Sequence, residues 1–212
     1  MTTCTGTVVD AGPALTFLAR KDTTRVLFQG LRGGFAAPEI VRTEVMRKSR
    51  EKQRLLGSAA NQWQMLENAG RIEVLSDDES VELSVAVQRL CHLPMSQRMQ
   101  QGKDLGELMV IAHAVVLADA GRDVTVLIQE RDGTAMAQQE AARFARMAPR
   151  RGSIRVWNSE TVLLRAAGSP QLPDKSTMRR IYGAMRPLDA ALPPIDQTDL
   201  LTSSVWNQIE QR

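Results

Sequence analysis

The chain reads as an α/β fold, a mainly parallel twisted sheet with helices on both faces in three α/β/α layers. Two kinds of strand and the segments between them carry that expectation. Val8-Val9 and Val124 to Ile128 are continuous apolar runs, the pattern of strands covered on both sides. Phe35-Ala36-Ala37, Ile72 to Leu75 and Ile154 to Trp157 are shorter extended runs. Between them lie segments in which apolar residues recur at helical spacing, as crossover helices require.

Thr5 to Asp10 is a β-branched run that closes on Asp-Ala-Gly-Pro, and Pro13 suits the first turn of a helix through about Arg20. Thr23 to Gln29 is a second helical stretch, expected to stop at Gly30 ahead of an Arg32-Gly33-Gly34 loop. After Pro38, the residues Ile40, Val41, Val45 and Met46 mark a helix, and Lys52 to Ala69 marks another. The strand Ile72 to Leu75 leads into Ser76-Asp77-Asp78-Glu79, which has the form of a capping box for a helix ending near Leu93. Ser96 to Asp104 is polar and is expected to be a surface loop. Leu105 to Ala120 is strongly helical and ends at Gly121. Helices over Gly133 to Met147, Glu160 to Ala167 and Lys175 to Met185 follow, with a Pro-containing tail. Within that tail Asp199 to Glu210 is expected to be an amphipathic helix, with Leu201, Val205 and Ile209 in one row. The expected division is a domain over residues 1–168 and a helical extension over 169–212, packed on that domain or on a partner.

At 212 residues, 43% hydrophobic and 24% charged, the chain has the composition of one globular core and not of a disordered segment. A net charge of +3 is mildly basic and only weakly suggests a polyanionic partner. No apolar run approaches a membrane span, and the strand-like run near Met1 leaves no room for a signal peptide. Cys4 and Cys91 lack metal-ligand spacing and read as reduced thiols, so a cytoplasmic setting is expected.

The chemistry-bearing residues are acidic. Asp10 directly follows a buried strand, where a rigid scaffold can offer an oxygen ligand to a hard cation, although a helix N-cap is the plain alternative. Glu44 lies near the apolar face of its helix, so it is either a metal ligand or a rim carboxylate paired with Arg47 or Lys48. Glu107 opens an almost wholly apolar helix behind Gly106, a place that the helix dipole favours for any carboxylate. Glu130 and Asp132 follow the strand Val124 to Ile128, where turn chemistry alone would also account for them.

Together these stretches resemble the PIN-domain nucleases, and within them the VapC-like toxins of bacterial toxin–antitoxin pairs. The matching segments are Val8-Val9-Asp10-Ala11-Gly12-Pro13, Pro38 through Glu44-Val45, Gly106-Glu107 with its Ala-rich helix, and Val126-Leu127-Ile128-Gln129-Glu130. Order and approximate spacing agree over about residues 5 to 165. The resemblance implies a PIN-like domain acting as an endoribonuclease, with Mg²⁺ or Mn²⁺ held by Asp10, Glu44, Glu107 and a fourth carboxylate. Related members often read Leu-Ile-Asp-Asp where this chain has Gln129-Glu130. Register favours Glu130 for the fourth ligand, and Asp132 is close enough to substitute. The implied partners are an RNA substrate and a small antitoxin, with a homodimer left open.

Two basic groups could carry RNA: Arg42, Arg47, Lys48, Arg50, Lys52 and Arg54, and then Arg143, Arg146, Arg150, Arg151 and Arg155. Aromatic residues are only 4% of the chain, which argues against a base-stacking platform. His113, on an apolar helix, reads as a core residue with a hydrogen-bond partner, and His92 makes no zinc site with its neighbours. The competing reading is a non-catalytic PIN-like domain that binds RNA or protein, its acidic site degraded at Gln129. A DNA-binding regulator using Lys175 to Arg186 is a weaker one, since Pro170 and Pro173 interrupt any helix-turn-helix.

Overall fold

The computed structural model of the chain describes residues 6–147 and 152–210, without the side chains of Val205, Gln208, Ile209 and Glu210. Five strands, β1 (Thr7–Val9), β2 (Phe35–Pro38), β3 (Ile72–Leu75), β4 (Val124–Leu127) and β5 (Ile154–Trp157), form a sheet in the order β3-β2-β1-β4-β5. All neighbours are parallel: Val8 lies opposite both Ala36 and Val126, Phe35 opposite Ile72, and Val124 opposite Ile154. The three central strands are buried along their whole length, as their apolar runs require. The two edge strands expose a charged residue each, Glu73 and Arg155.

The path of the chain fixes the layers. From β1 it moves one way, through α1 (Ala11–Leu18) and α2 (Lys21–Leu31) to β2, then through α3 (Glu39–Glu51) and α4 (Gln53–Asn68) to β3. It then crosses back past β1, through α5 (Val81–Cys91), α6 (Met95–Arg98) and α7 (Leu105–Asp119), to β4, and on through α8 (Arg131–Met147) to β5. Right-handed crossovers running in opposite directions must lie on opposite faces. Accordingly α1 packs with α2, α3 and α4, while α7 packs with α5 and α8. The fold is the parallel, three-layer α/β/α architecture that the sequence predicts. Helix α7 touches β1, β2, β4 and β5 and is buried on nearly every side, which explains its lack of a polar face.

Three local expectations are corrected. Gly30 does not stop a helix but lies inside α2, where a Cβ would come within 2.5 Å of the Val162 carbonyl oxygen. Its missing side chain lets α2 pack closely on α9 (Ser159–Ala166). Ser76 does not cap α5; Ser80 does, accepting from the Leu83 N–H at 3.1 Å, because Asp77 is engaged elsewhere. Ser96 to Asp104 is only partly a surface loop. It begins in α6, and the buried Arg98 guanidinium donates to the carbonyls of Gln101 and Lys103 from inside.

Helix α10 (Lys175–Met185) rests on α2, and Arg180 pairs with Asp22 at 2.8 Å. Beyond it come short 3₁₀ turns and then α11 (Ser203–Glu210). The expected row of Leu201, Val205 and Ile209 is not continuous, because extended Thr202 separates the turn Asp199–Leu201 from α11 and resets the register. Leu200 and Trp206 are the buried pair instead, joined when the Trp206 indole donates to the Leu200 carbonyl at 2.9 Å. The side chains of Val205 and Ile209 lie outside the described residues. Leu192, Leu200 and Trp206 belong to the same apolar cluster as the helices around the sheet.

Truncating Leu200 to Ala should therefore lower the unfolding free energy by about 2–5 kcal/mol in urea titrations. A loss below about 0.5 kcal/mol, the scale of surface substitutions, would mean that the tail contributes nothing to the core.

Candidate active site

Adjacent strands β1 and β4 are where the chain's direction of travel reverses, so their carboxyl ends splay apart into a crevice. Asp10 leaves β1 there, with its N–H bonded to the Leu127 carbonyl at 2.9 Å, and Glu130 follows β4. Helix α3 begins at the end of β2 and brings Glu44 in. Helix α7 runs back across the sheet from this same end, which places Glu107 in its first turn. Asp10, Glu44, Glu107 and Glu130 all line one cleft of about 560 Å³, together with Gly106 and Lys48.

Asp10 is 5% exposed and serves as the N-cap of α1, accepting from the Gly12 N–H at 3.4 Å. The capping alternative thus holds alongside its place in the cleft. Burial, and then the charge of Glu44, push its carboxyl up to about 6 against the backbone hydrogen bonds from Ala11 and Gly12. Glu107 rises to about 7, first through burial and then through the negative charges of Asp10, Glu130, Asp104 and Asp132.

Two glycines make room for these groups. A Cβ at Gly106 would stand 3.1 Å from Glu44 Oε2 and 3.9 Å from Asp10 Oδ1, so those two carboxylates converge over bare backbone. A Cβ at Gly133 would stand 2.5 Å from Glu107 Oε2. The acidic groups therefore lie in two halves, with Asp10 and Glu44 over Gly106, and Glu107 against the start of α8. Among the described residues no three Asp, Glu, His or Cys side chains close on one cation position. The donor set is nonetheless all oxygen, the kind that a hard divalent ion takes.

Glu44 is held by Lys48 at 2.5 Å, one of the two partners expected for a rim carboxylate, while Arg47 pairs with Glu51 at 2.7 Å. Glu130 is exposed at the mouth of the cleft, and its carbonyl accepts from Thr134 N–H at 2.9 Å as α8 begins. Asp132 lies in the first turn of α8, exposed and outside the cleft lining, acting on Glu107 only through its charge. Gln129 turns away, its amide oxygen accepting from Ser159 N–H at 3.1 Å.

Sequence reasoning did not single out Asp104. It precedes α7 in the left-handed conformation (φ 52°), lines the cleft and contributes to the rise of Glu107. An Asp two residues ahead of a glycine and a glutamate at a helix start was the available signal. Nor did it find Asp77, which ties the site's two carrier helices together. Asp77 accepts from the α3 amide of Ile40 at 2.7 Å and pairs with His113 Nε2 of α7 at 2.9 Å. His113 is indeed a core residue with a partner. Of the basic residues, Arg47 and Lys48 border the cleft, and Arg50, Lys52 and Arg54 lie exposed beyond them. Arg143 is engaged by Glu140, Arg155 faces Asp123, and Arg150 and Arg151 fall outside the described residues. Cys91 is a free thiol, and Cys4 also lies outside the described residues.

No protein-family model, curated protein or solved structure matches the chain. Among the described residues no helix is long and apolar enough to cross a membrane.

Raised carboxyl pKa values make stability depend on pH in a definite direction. Asp10 and Glu107 bind protons more tightly in the folded chain than at their ordinary 3.8 and 4.5, so the metal-free protein should lose stability as pH rises from about 4 to about 7. Asp10→Asn, which keeps the cap, should raise the melting temperature at pH 7 and flatten that slope. A lower melting temperature with an unchanged slope would show that the carboxylate is not under repulsion.

Proposed function

We propose that the chain is a divalent-metal-dependent endoribonuclease of the PIN-domain kind, acting in the cytoplasm as the toxin of a toxin–antitoxin pair. The observation that carries this reading is the meeting of Asp10, Glu44, Glu107 and Glu130 in one cleft at the point where the sheet reverses direction. The sequence resemblance described above supplies the reaction. On this reading Asp10, Glu44 and Glu107 hold Mg²⁺ or Mn²⁺, with Glu130 as the fourth carboxylate. A divalent ion held by these residues would polarise a phosphate oxygen and make a bound water a stronger acid.

The chain's own residues orient the substrate. Asp10 is the fixed element, pinned by burial and by its cap to α1. Arg47 at the cleft wall, and Arg50, Lys52 and Arg54 past it, offer positive charge to phosphates on one side of the scissile bond. Recognition is then of backbone and shape more than of stacked bases. A small antitoxin and a second copy of the chain are the protein partners that go with this reading.

Incubation of purified protein with total RNA in Mg²⁺, Mn²⁺ or EDTA is the direct test. Cleavage should need the metal, and Asp10→Asn or Glu107→Gln should each reduce it by at least about 100-fold with the fold intact. Full activity in either variant would remove that residue from the site. The second reading, a non-catalytic RNA- or protein-binding domain, is favoured by the two-part arrangement of the carboxylates. It predicts RNA binding without cleavage in any metal.

Glu130 lines the cleft and Asp132 does not, so Glu130→Gln should weaken Mn²⁺ binding in calorimetry more than Asp132→Asn. A weaker site only in the Asp132 variant would reverse that assignment.

A further inference from the structure

Helices α3 and α4 enclose a groove of about 390 Å³ between them. On α4 the residues Gln53, Gly57, Asn61 and Gln64 recur at i, i+4, i+8 and i+11 and so share one face, while Leu56, Ala59 and Trp63 are buried on another. Helix α3 supplies Met46, Ser49 and Arg50. Among the described residues no Asp or Glu lines the groove. The side chains of Arg50, Gln53, Asn61 and Gln64 are exposed, and none of them has a hydrogen bond or ion pair with another described residue. Ser49 is 2% exposed, and its hydroxyl has no hydrogen-bond partner, so the groove is polar in its wall as well as at its rim.

The groove continues the acidic cleft along α3. Met46 and Arg50 also line a shallower depression with Thr43 and Arg47, and Thr43 and Arg47 belong in turn to the cleft wall. Arg50 lies less than two turns beyond Glu44, a rise of about 9 Å along the helix. A strand of RNA that crosses the cleft reaches this place within a few nucleotides. The lining chemistry selects the occupant. An apolar helix would find only Met46, and a small anion only Arg50. An amide carries a donor beside an acceptor, which is what the edge of a base requires, and unpaired RNA bases leave those edges free.

We propose that the α3–α4 groove is a base-reading subsite, in which Gln53, Asn61 and Gln64 take the edge of one unpaired RNA base while Arg50 meets the adjoining phosphate. The inference rests on the reading of RNA as substrate, and it needs neither cleavage nor a bound metal. Reading by the edge also suits a chain with few aromatic residues on which a base could stack.

The test is fluorescence anisotropy of the full-length protein with ten-nucleotide homopolymers of A, C or U in EDTA, with melting temperatures alongside. The parent should favour one homopolymer by at least about fivefold, the lower end of discrimination by one two-bonded amide–base contact. The double variant Asn61→Ala, Gln64→Ala should bring that homopolymer down to the affinity of the others and leave the others unchanged. Gly57→Met should do the same by filling the groove. It should melt at or above the parent temperature, because glycine is the poorer helix former and a Cβ there meets only Gln53 Cγ, at 3.3 Å. Arg50→Gln should weaken all three about equally and reduce the salt dependence. Equal affinity of the parent for all three, or a preference that survives in the double variant, would overturn the proposal. So would a Gly57→Met protein that changes oligomeric state but keeps its preference, since the groove would then be an interface between copies. Metal-dependent cleavage of total RNA without base preference would overturn the subsite alone, and base preference without cleavage would remove the nuclease and keep the subsite.

Discussion

Strand β1 is hydrogen-bonded on both sides by parallel neighbours, and nearly everything of interest follows from that position. The chain leaves it toward β2, while β4, its neighbour on the other side, leads on to β5, so the crossovers departing from the carboxyl ends of β1 and β4 run in opposite directions. No helix can cover the gap between them. A residue placed immediately after Val9 is thus buried by the sheet below and open to the crevice above. Asp10 occupies that point, and the other acids reach it from separate elements that have no sequence adjacency to one another. Burial of these groups, and then repulsion among them, is a standing cost of the architecture, visible in the upward movement of both Asp10 and Glu107.

Holding the acids together falls to a contact at the edge of the crevice. Asp77, just past the end of β3, takes the Ile40 amide in the first turn of α3 with one oxygen and the ring of His113 on α7 with the other. Glu39 returns a bond to the Asp77 N–H at 3.1 Å. The two helices that carry Glu44 and Glu107 come from opposite faces of the sheet, and this bridge sets one against the other. The bare backbone of Gly106 then lets the carboxylates approach, where any larger residue would crowd Glu44. The site is built less by its own charges than by groups that absorb their mutual strain.

Much of this was legible in the chain because burial writes itself into composition. Val8-Val9 and Val124 to Ile128 are apolar without alternation since both their faces are covered, and α7 has no polar side for the same reason. An acid next to such a segment stands out, which is why Asp10 and Glu107 could be picked from the sequence. The unreadable parts depend on a partner distant in the chain. Gly30 looks like a helix stop unless Val162 is known to press against it. Ser76 looks like a cap unless Asp77 is known to be committed to α3 and α7. Asp104 carries no pattern of its own, and its meaning comes only from Glu107. Glu130 and Asp132 are only two residues apart, too close for spacing to rank them, and it took the start of α8 to put one in the cleft and one outside it.

The placement of β1 also governs the order in which the molecule can assemble. Thr7 pairs with Thr125 and Val9 with Leu127, so one whole side of the first strand waits for residues that emerge from the ribosome much later. The pairings of β1 with β2 and of β2 with β3 need the chain only as far as Leu75, and those strands can come together early. Until β4 arrives, the growing polypeptide carries an open, largely apolar strand edge, the kind of surface that invites intermolecular strand addition. Contacts this far apart in sequence also make for slow closure, because the connecting loop must be ordered before they form. Nascent chains are thus most exposed to aggregation, and most in need of a chaperone, in the interval between synthesis of β3 and completion of β4.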